Sequence, residues 1–279
     1  MKVVGYRERV ARYFDSIANT YDERIYDHNL GFDDLYWDIV EELEWYWIRK
    51  YLPESGVVLD AAGGTGRLAV KIANDGRKVF LLDISPKMVE IAKKKAKKLS
   101  VEKFMEFQIG DIHNLPYPEN FFDMVLGMGI EYADNLPQVI AEFKRVAKPN
   151  RYVIFSVDSL LFLIIAFINL GLLDNALDII EKRTYEDSKD VLCWTYTPSE
   201  LKKMCLERGL IVEKIVGFGV SAYIKDKELR IKIHKNSKMK QKLLEIEKKV
   251  STVEDFAPIA NHIIVICKKP PSNISQFSK

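Results

Sequence analysis

Val58-Leu59-Asp60-Ala61-Ala62-Gly63-Gly64-Thr65-Gly66-Arg67-Leu68-Ala69 is the stretch on which the reading of this chain turns. Its first half continues a short β-type run, Gly56 to Asp60. Its second half is a glycine-rich turn that opens a helical pattern at Leu68, Val70, Ile72 and Ala73. A strand, a glycine turn and a helix in that order make a ligand cradle: the glycines allow close backbone approach, and the helix start presents free N–H groups. Gly64-Thr65-Gly66-Arg67-Leu68-Ala69 satisfies the pattern G-x-G-x-x-A, which dinucleotide-binding turns share.

Asp60 separates the candidate ligands. A carboxylate at the end of the first strand suits a ligand that brings positive charge to the turn, and it repels a pyrophosphate resting there. S-adenosylmethionine (SAM) carries an ammonium and a sulfonium and no phosphate, so the charges favour SAM over NAD. Asp83 ends a second strand, Lys78 to Asp83, where a carboxylate accepts both hydroxyls of a ribose. Asp111 follows a third strand, Phe104 to Ile109; with Ile112 it suits an adenine, one residue for the amine and one for the ring face. Any one such aspartate is as well explained as a turn or cap. Three on successive strand ends beside a glycine turn are not.

Outward from this core the alternation continues. Ser85-Pro86 caps a helix through Met88, Val89, Ile91, Ala92 and Ala96. Phe122 to Gly127 is a fourth strand, Pro137 to Ala147 a helix, and Arg151 to Val157 a fifth strand. Thr197-Pro198-Ser199-Glu200 starts another capped helix; Leu210 to Val216 and His262 to Cys267 are the sixth and seventh strands. Short, continuously apolar strands alternating with helices imply a seven-stranded, mostly parallel α/β sheet with helices on both faces. Residues 10 to 50 carry two helical patterns, Tyr13/Phe14/Ile17/Tyr21 and Leu35/Ile39/Leu43/Trp47, and nine acids lie between Asp22 and Glu44. After Val157 comes an uninterrupted apolar run, Leu160 to Ile168, too short for a membrane span of about 20 residues. It reads as a helix reaching Leu173, buried or forming a lid. Residues 225 to 249 read as a basic helical insertion.

Composition bounds the rest. The chain has 279 residues, 48% hydrophobic and 29% charged, and 42 basic against 40 acidic side chains give a net charge of +2. That composition excludes disorder, and the charge draws the molecule to neither nucleic acid nor anionic lipid. Cys193, Cys205 and Cys267 form no C-x-x-C pair, which argues against a disulfide framework and a thiolate metal site. The first nine residues become charged before an apolar stretch develops, so a secretory signal is not expected and a cytoplasmic location is.

Together, Asp60 through Gly66, Asp83-Ile84-Ser85-Pro86-Lys87-Met88, Gly110-Asp111-Ile112 with Leu115-Pro116, and Phe122-Asp123 through Tyr132 resemble the class I SAM-dependent methyltransferases, a Rossmann-like fold. Val10 to Asp22 is similar to the N-terminal helix of the small-molecule, ubiquinone/menaquinone-biosynthesis branch. The resemblance spans about residues 50 to 157 and the closing strands. It departs at Ala62, where the family commonly has a glycine, and at Asn150, where a Lys-Pro-Gly turn usually ends. It implies cofactor contacts from Asp60, Ala62, Gly63, Gly64, Gly66, Asp83, Ile84, Met88, Asp111, Ile112, Gly127 and Tyr21.

The resemblance also implies a transferase moving the SAM methyl to a small, partly apolar acceptor, with S-adenosylhomocysteine as product. Such a transfer requires alignment and a dry site rather than a fixed triad. Candidate bases at the strand ends are Glu131, Tyr132 and Asp158, with Tyr21 over the cofactor, and His28 and His113 behind them. The alternatives are an RNA or protein methyltransferase and a non-catalytic SAM-binding protein. The Lys93-Lys94-Lys95 cluster and the basic insertion are the features that would serve RNA, but such runs are more often solvated helix faces. The expected organisation is an N-terminal helical cap (1–50), a SAM-binding core (51–158) and a helical lid insertion (159–190). A segment completing the sheet (191–268) contains the basic insertion (225–250), and a tail (269–279) ends the chain. The apolar face of the lid suits either site closure or a homodimer interface.

Overall fold

Alternating apolar residues, sent to opposite faces of each strand, build this molecule around one sheet. The computed structural model describes residues 5–23, 33–188 and 190–272; His28 and residues 273–279 of the expected tail lie outside them. In chain order the elements are α1 (Tyr6–Ile17), α2 (Asp34–Tyr51), β1 (Val57–Ala61), α3 (Arg67–Asn74), β2 (Lys78–Asp83), α4 (Pro86–Lys98), β3 (Met105–Ile109), β4 (Phe122–Gly127), α5 (Leu136–Val146) and β5 (Ala147–Asp158). Then follow α6 (Leu160–Asn169), α7 (Leu173–Lys182), β6 (Thr184–Ser188), β7 (Val191–Trp194), α8 (Pro198–Glu207), β8 (Ile211–Phe218), α9 (Lys227–Lys235), α10 (Ser237–Val250) and β9 (His262–Lys268).

The main sheet has the order β3-β2-β1-β4-β5-β9-β8. β1 to β5 pair in parallel, and β9 runs antiparallel to both neighbours. On β1, Val58 faces the helices α2, α3 and α4 while Leu59 faces α5 and α8. On β9, Ile264 and Ile266 take the first face, and Ile263, Val265 and Cys267 the second. Each fully buried aliphatic side chain of this kind contributes about 1.5–3 kcal/mol, so the alternation alone fixes which way every strand faces.

The expected capping chemistry is present. The Ser85 hydroxyl accepts from the Met88 backbone N–H, and Thr197 and Glu200 form a reciprocal capping box at α8. Asn150 takes a left-handed conformation, φ 61°, the position where a Lys-Pro-Gly turn would put its glycine. Asparagine is among the few residues that tolerate it.

Two expectations on the insertions are corrected, and the basic insertion is helical as expected. The Leu160–Leu173 stretch is not one helix: α6 ends at Asn169, the chain turns at Gly171 with φ 73°, and α7 begins at Leu173. The lid insertion is not wholly helical, because β6 pairs antiparallel with β7 in a separate hairpin. Its polar sequence, Thr184-Tyr185-Glu186-Asp187-Ser188, has little apolar alternation, since one side faces solvent and the other a cavity. The basic insertion is two helices, and Asn236 ends α9 and caps α10 by accepting from the Met239 N–H.

That insertion is docked on one face. Arg230, 4% exposed, pairs with Asp33, and Lys240 reaches Asp38 at 3.0 Å. The inner face of the basic helices is thus paired with acids at the start of α2, while Lys227, Lys232, Lys235 and Lys238 stay exposed.

Candidate active site

The sheet order locates the site before any side chain is considered. The chain steps outward from β1 to β2 and β3, then returns to lay β4 on the other side of β1. Ligands in such sheets bind at the carboxyl ends of the strands where the order reverses. Those ends carry, from β3 to β5, Asp111, Asp83, Asp60, Glu131 and Asp158. β9 is antiparallel, so its first residue, His262, joins them. A cavity of about 890 Å³ runs along this edge. It lies near the top of the roughly 300–1,000 Å³ range of small-molecule sites.

The β1–β2 part is a cradle. Gly63 donates its N–H to the Leu82 carbonyl at 3.1 Å, and Gly64 donates to Asp83 Oδ2 at 2.8 Å. A Cβ on Gly63 would stand 2.8 Å from Leu81 Cγ and 3.0 Å from Asp60 Oδ2, so only glycine leaves that carboxylate accessible. Asp60 is 2% exposed, and its Oδ2 has no hydrogen-bond partner among the described residues. Burial, against the opposing charge of Arg67, pushes its carboxyl up to about 7. Asp60 borders a small recess that also includes Gly63, Gly64 and Arg67. A buried carboxylate oxygen with no donor calls for a cation. The ammonium of SAM supplies one, and the residues present fit it.

Asp83 serves the next position. Its two oxygens accept from Gly64 and from the Ser85 N–H at 2.9 Å, which aims the carboxylate into the cavity. Burial pushes it up to about 6 against those backbone donors. Ile84 and Met88 line the cavity beside it, as expected.

Asp111 is already engaged. Its Oδ1 accepts from His113 Nδ1 at 2.7 Å, and its Oδ2 accepts from Arg7 at 3.0 Å. Burial works upward on this carboxyl, but the hydrogen bonds from His113 and the charge of Arg7 hold it below the ordinary range. An adenine amine would share that carboxylate with Arg7. His113 is 4% exposed and bracketed by Asp111 and Asp134, so it positions Asp111 rather than acting as a base.

Arg7 is the first of three polar staples that hold the N-terminal cap over the strand ends. Asp15 accepts from the Ser85 hydroxyl at 2.6 Å and the Lys87 N–H at 3.0 Å. Asp22 accepts from the Thr65 hydroxyl at 2.6 Å and pairs with Lys95 at 2.9 Å. Thus β3, β2 and β1 are each tied to the cap, and Val10, Tyr13, Phe14, Ile17 and Tyr21 line the cavity beneath it.

The β4–β5–β9 part has different chemistry. Tyr185 donates to Asp158 Oδ2 at 2.7 Å, and His262 Nδ1 stands 3.2 Å from Asp158 Oδ1. Tyr13 and Tyr132 both donate to Asp187 Oδ2, at 2.6 and 2.9 Å. Glu131 is 9% exposed, and its Oε2 has no hydrogen-bond partner among the described residues. Burial, reinforced by the charge of Asp158, raises its carboxyl well above the usual range.

Of the sequence-derived candidates, Tyr21, Ala62, Gly64, Asp83, Ile84, Met88, Asp111, Ile112, Glu131, Tyr132 and Asp158 line the main cavity. Asp60 and Gly63 border the recess. Gly66 packs inward, where a Cβ would meet Ala92 Cβ at 3.0 Å. Gly127 sits behind the site with the Phe143 ring filling its Cβ direction, so it shapes the floor without lining the cavity. Arg7, Tyr185, Asp187 and His262 were missed. The signal for His262 was available: a last strand running backwards presents its first residue.

The family model described as "Methyltransferase domain" matches residues 58–150. Demethylmenaquinone methyltransferase of Chlorobaculum tepidum is 35% identical over 148 residues, 52% of this chain and 57% of that protein. The chain therefore spans a little over half the length of this curated relative. Among solved structures, the [4+2]-cyclase SpnF superposes with a TM-score of 0.63 at 15% identity, over 97% of this chain and 98% of that one. Geranyl diphosphate C-methyltransferase from Streptomyces coelicolor A3(2), in complex with Mg2+, geranyl diphosphate and S-adenosyl-L-homocysteine, gives 0.60 at 13% identity, over 96% and 100%. Residues 58–150 thus match a methyltransferase-domain model, and the chain takes the fold that these structures share.

Proposed function

We propose that this protein is a SAM-dependent methyltransferase acting on a small, partly apolar acceptor. The observation that carries the reading is Asp60: a buried carboxylate oxygen without a donor among the described residues, in a recess at the glycine turn that shares its walls with the cavity lined by Asp83 and Asp111. The relatives named for methylation of demethylmenaquinone and geranyl diphosphate support a small-molecule acceptor.

In this reading Asp60 holds the amino-acid end of SAM and Asp83 the ribose, with Ile84, Met88 and Ile112 against the adenosine. SAM, when bound, supplies an electrophilic methyl on its sulfonium. In the same reading the acceptor lies on the β4–β5–β9 side, in line with the breaking bond. The chain's own part is alignment and the exclusion of water by α1 and α6. Glu131, Asp158 and His262 are the groups that take a proton where the acceptor must lose one.

Calorimetric titration with SAM, S-adenosylhomocysteine and NAD tests the reading; tight NAD binding without SAM binding refutes it. Asp83→Ala is expected to weaken SAM binding by about 1.5–3 kcal/mol, the range for hydrogen bonds to a charged group. Unchanged affinity would remove Asp83 from the ribose.

Among the described residues no helix is long and apolar enough to cross a membrane. We place the protein in the cytoplasm, with the outer face of the α6–α7 corner pairing with a second copy. Exposed Ile168, Leu172, Leu173 and Leu177 support that pairing, and sedimentation at two protein concentrations tests it.

A further inference from the structure

The acceptor side of the cavity is acidic and aromatic. Glu131, Asp158 and Asp187 line it together with Tyr13, Tyr132 and Tyr185. Among the described residues two arginines reach the cavity, and each is paired with acids away from this end, although Arg67 Nη1 is left without a hydrogen-bond partner among the described residues. Arg7 pairs with Asp111 and Asp134 at the β3 end, and Arg67 with Glu44 at 2.6 Å. Of the described cavity-lining residues, His262 alone brings a basic side chain to this end, and it sits against Asp158. Such a chamber repels a phosphate or a carboxylate. Glu131 adds a directional demand, being nine-tenths buried with Oε2 lacking a partner among the described residues. Carboxylates gathered in a low-dielectric space need a proton or a cation between them, and aromatic faces also favour a cation.

We infer that the acceptor is a primary or secondary amine on an apolar body, held as its ammonium ion between Glu131 and Asp158 and methylated on that nitrogen. The inference rests on the methyltransferase reading above. Met128, Ile130, Leu163 and Trp37 line the cavity around these acids and suit the apolar body. The chemistry closes: the ammonium gives a proton to a chamber carboxylate, and the freed nitrogen lone pair forms the N–C bond. The S–C bond breaks with its electron pair kept by sulfur, and the product nitrogen carries the positive charge. In the free protein burial and the charge of Asp158 favour a proton on Glu131. Around it stand Asp158, Asp187, Glu44 and His262, with Tyr36, Tyr132, Tyr185, Tyr196 and Cys193, whose own protons burial also retains. An arriving ammonium therefore displaces the Glu131 proton, and a neutral ligand does not.

The test titrates the S-adenosylhomocysteine complex with naphthylmethylamine, naphthalenemethanol, naphthol and naphthoate, by calorimetry in buffers of different ionisation enthalpy. The amine is expected to bind about tenfold more tightly than the alcohol, the gain of a charge-assisted hydrogen bond, with net proton release. Naphthoate should not bind. Glu131→Gln should remove the preference and the proton release while S-adenosylhomocysteine, held on the β1–β3 side, still binds. Equal or tighter binding of naphthol or the alcohol, binding of naphthoate, or an amine preference that survives Glu131→Gln overturns the inference and leaves the methyltransferase reading standing. Failure to bind S-adenosylhomocysteine at all overturns both.

Discussion

Replacing Asp60 with asparagine should make the protein more stable at alkaline pH while destroying its affinity for SAM. Burial pushes the Asp60 carboxyl from 3.8 up to about 7. An acid raised on folding contributes no penalty below its unfolded value, a growing one as pH climbs between the two values, and a constant one above. At about 1.36 kcal/mol per pH unit the full penalty is about 4 kcal/mol, reached above about pH 7. The Asp60→Asn variant would be free of it. The new amide would set an N–H into a recess built for an acceptor, which costs about 1–3 kcal/mol at every pH. The variant should therefore exceed the wild type by about 1–3 kcal/mol near pH 8 and fall below it near pH 4, with the curves crossing in between. Urea unfolding across that range reads both limbs. Wild-type SAM affinity should also fall about tenfold per pH unit below 7, because protonation of Asp60 competes with the ammonium. A variant less stable than wild type at pH 8, with a parallel pH profile, would refute the assignment of a buried carboxylate with one donor-less oxygen.

Gly63→Ala drives a methyl to 2.8 Å from Leu81 Cγ and 3.0 Å from Asp60 Oδ2. It should cost about 1–3 kcal/mol of stability and at least as much SAM affinity; calorimetry showing normal affinity would clear the recess of its role. Ala62 holds φ 59°, so Ala62→Gly should stabilise by about 0.5–1 kcal/mol in thermal unfolding, the left-handed strain less the added chain entropy. Asp15→Ala removes the bonds to Ser85 and Lys87 and should speed hydrogen exchange across residues 6–23 while α2 stays protected. Unchanged exchange would mean that Arg7 and Asp22 suffice to hold the cap.

What the sequence disclosed was set by short-range patterning. Asp60, Asp83 and Asp111 were legible because each closes an apolar strand, and a strand end is a local signal. The Ser85 and Thr197 caps were legible for the same reason. Ala62 and Asn150 were visible as departures, and their left-handed geometry explains why glycine is usual at both. The β6–β7 hairpin was not legible, because Glu186 and Asp187 reflect exposure and a cavity rather than a core. The staples from Arg7, Asp15 and Asp22 were out of reach too. Charged residues on a helix gain meaning only from the strand ends over which that helix lies.

The reversed direction of β9 orders the site along the chain. The residues proposed to hold the cofactor, Asp60 to Ile112, lie on β1, β2, β3 and the turns that follow them, all complete well before half the chain has been made. His262 and the tie between Tyr36 and Asn261 arrive only with β9, more than a hundred residues later. A chain cut short of β9 would keep the residues proposed for the cofactor and lack His262 from the opposite wall. Selectivity for the acceptor is then the property that substitutions near residue 262 should alter without touching the cofactor cradle.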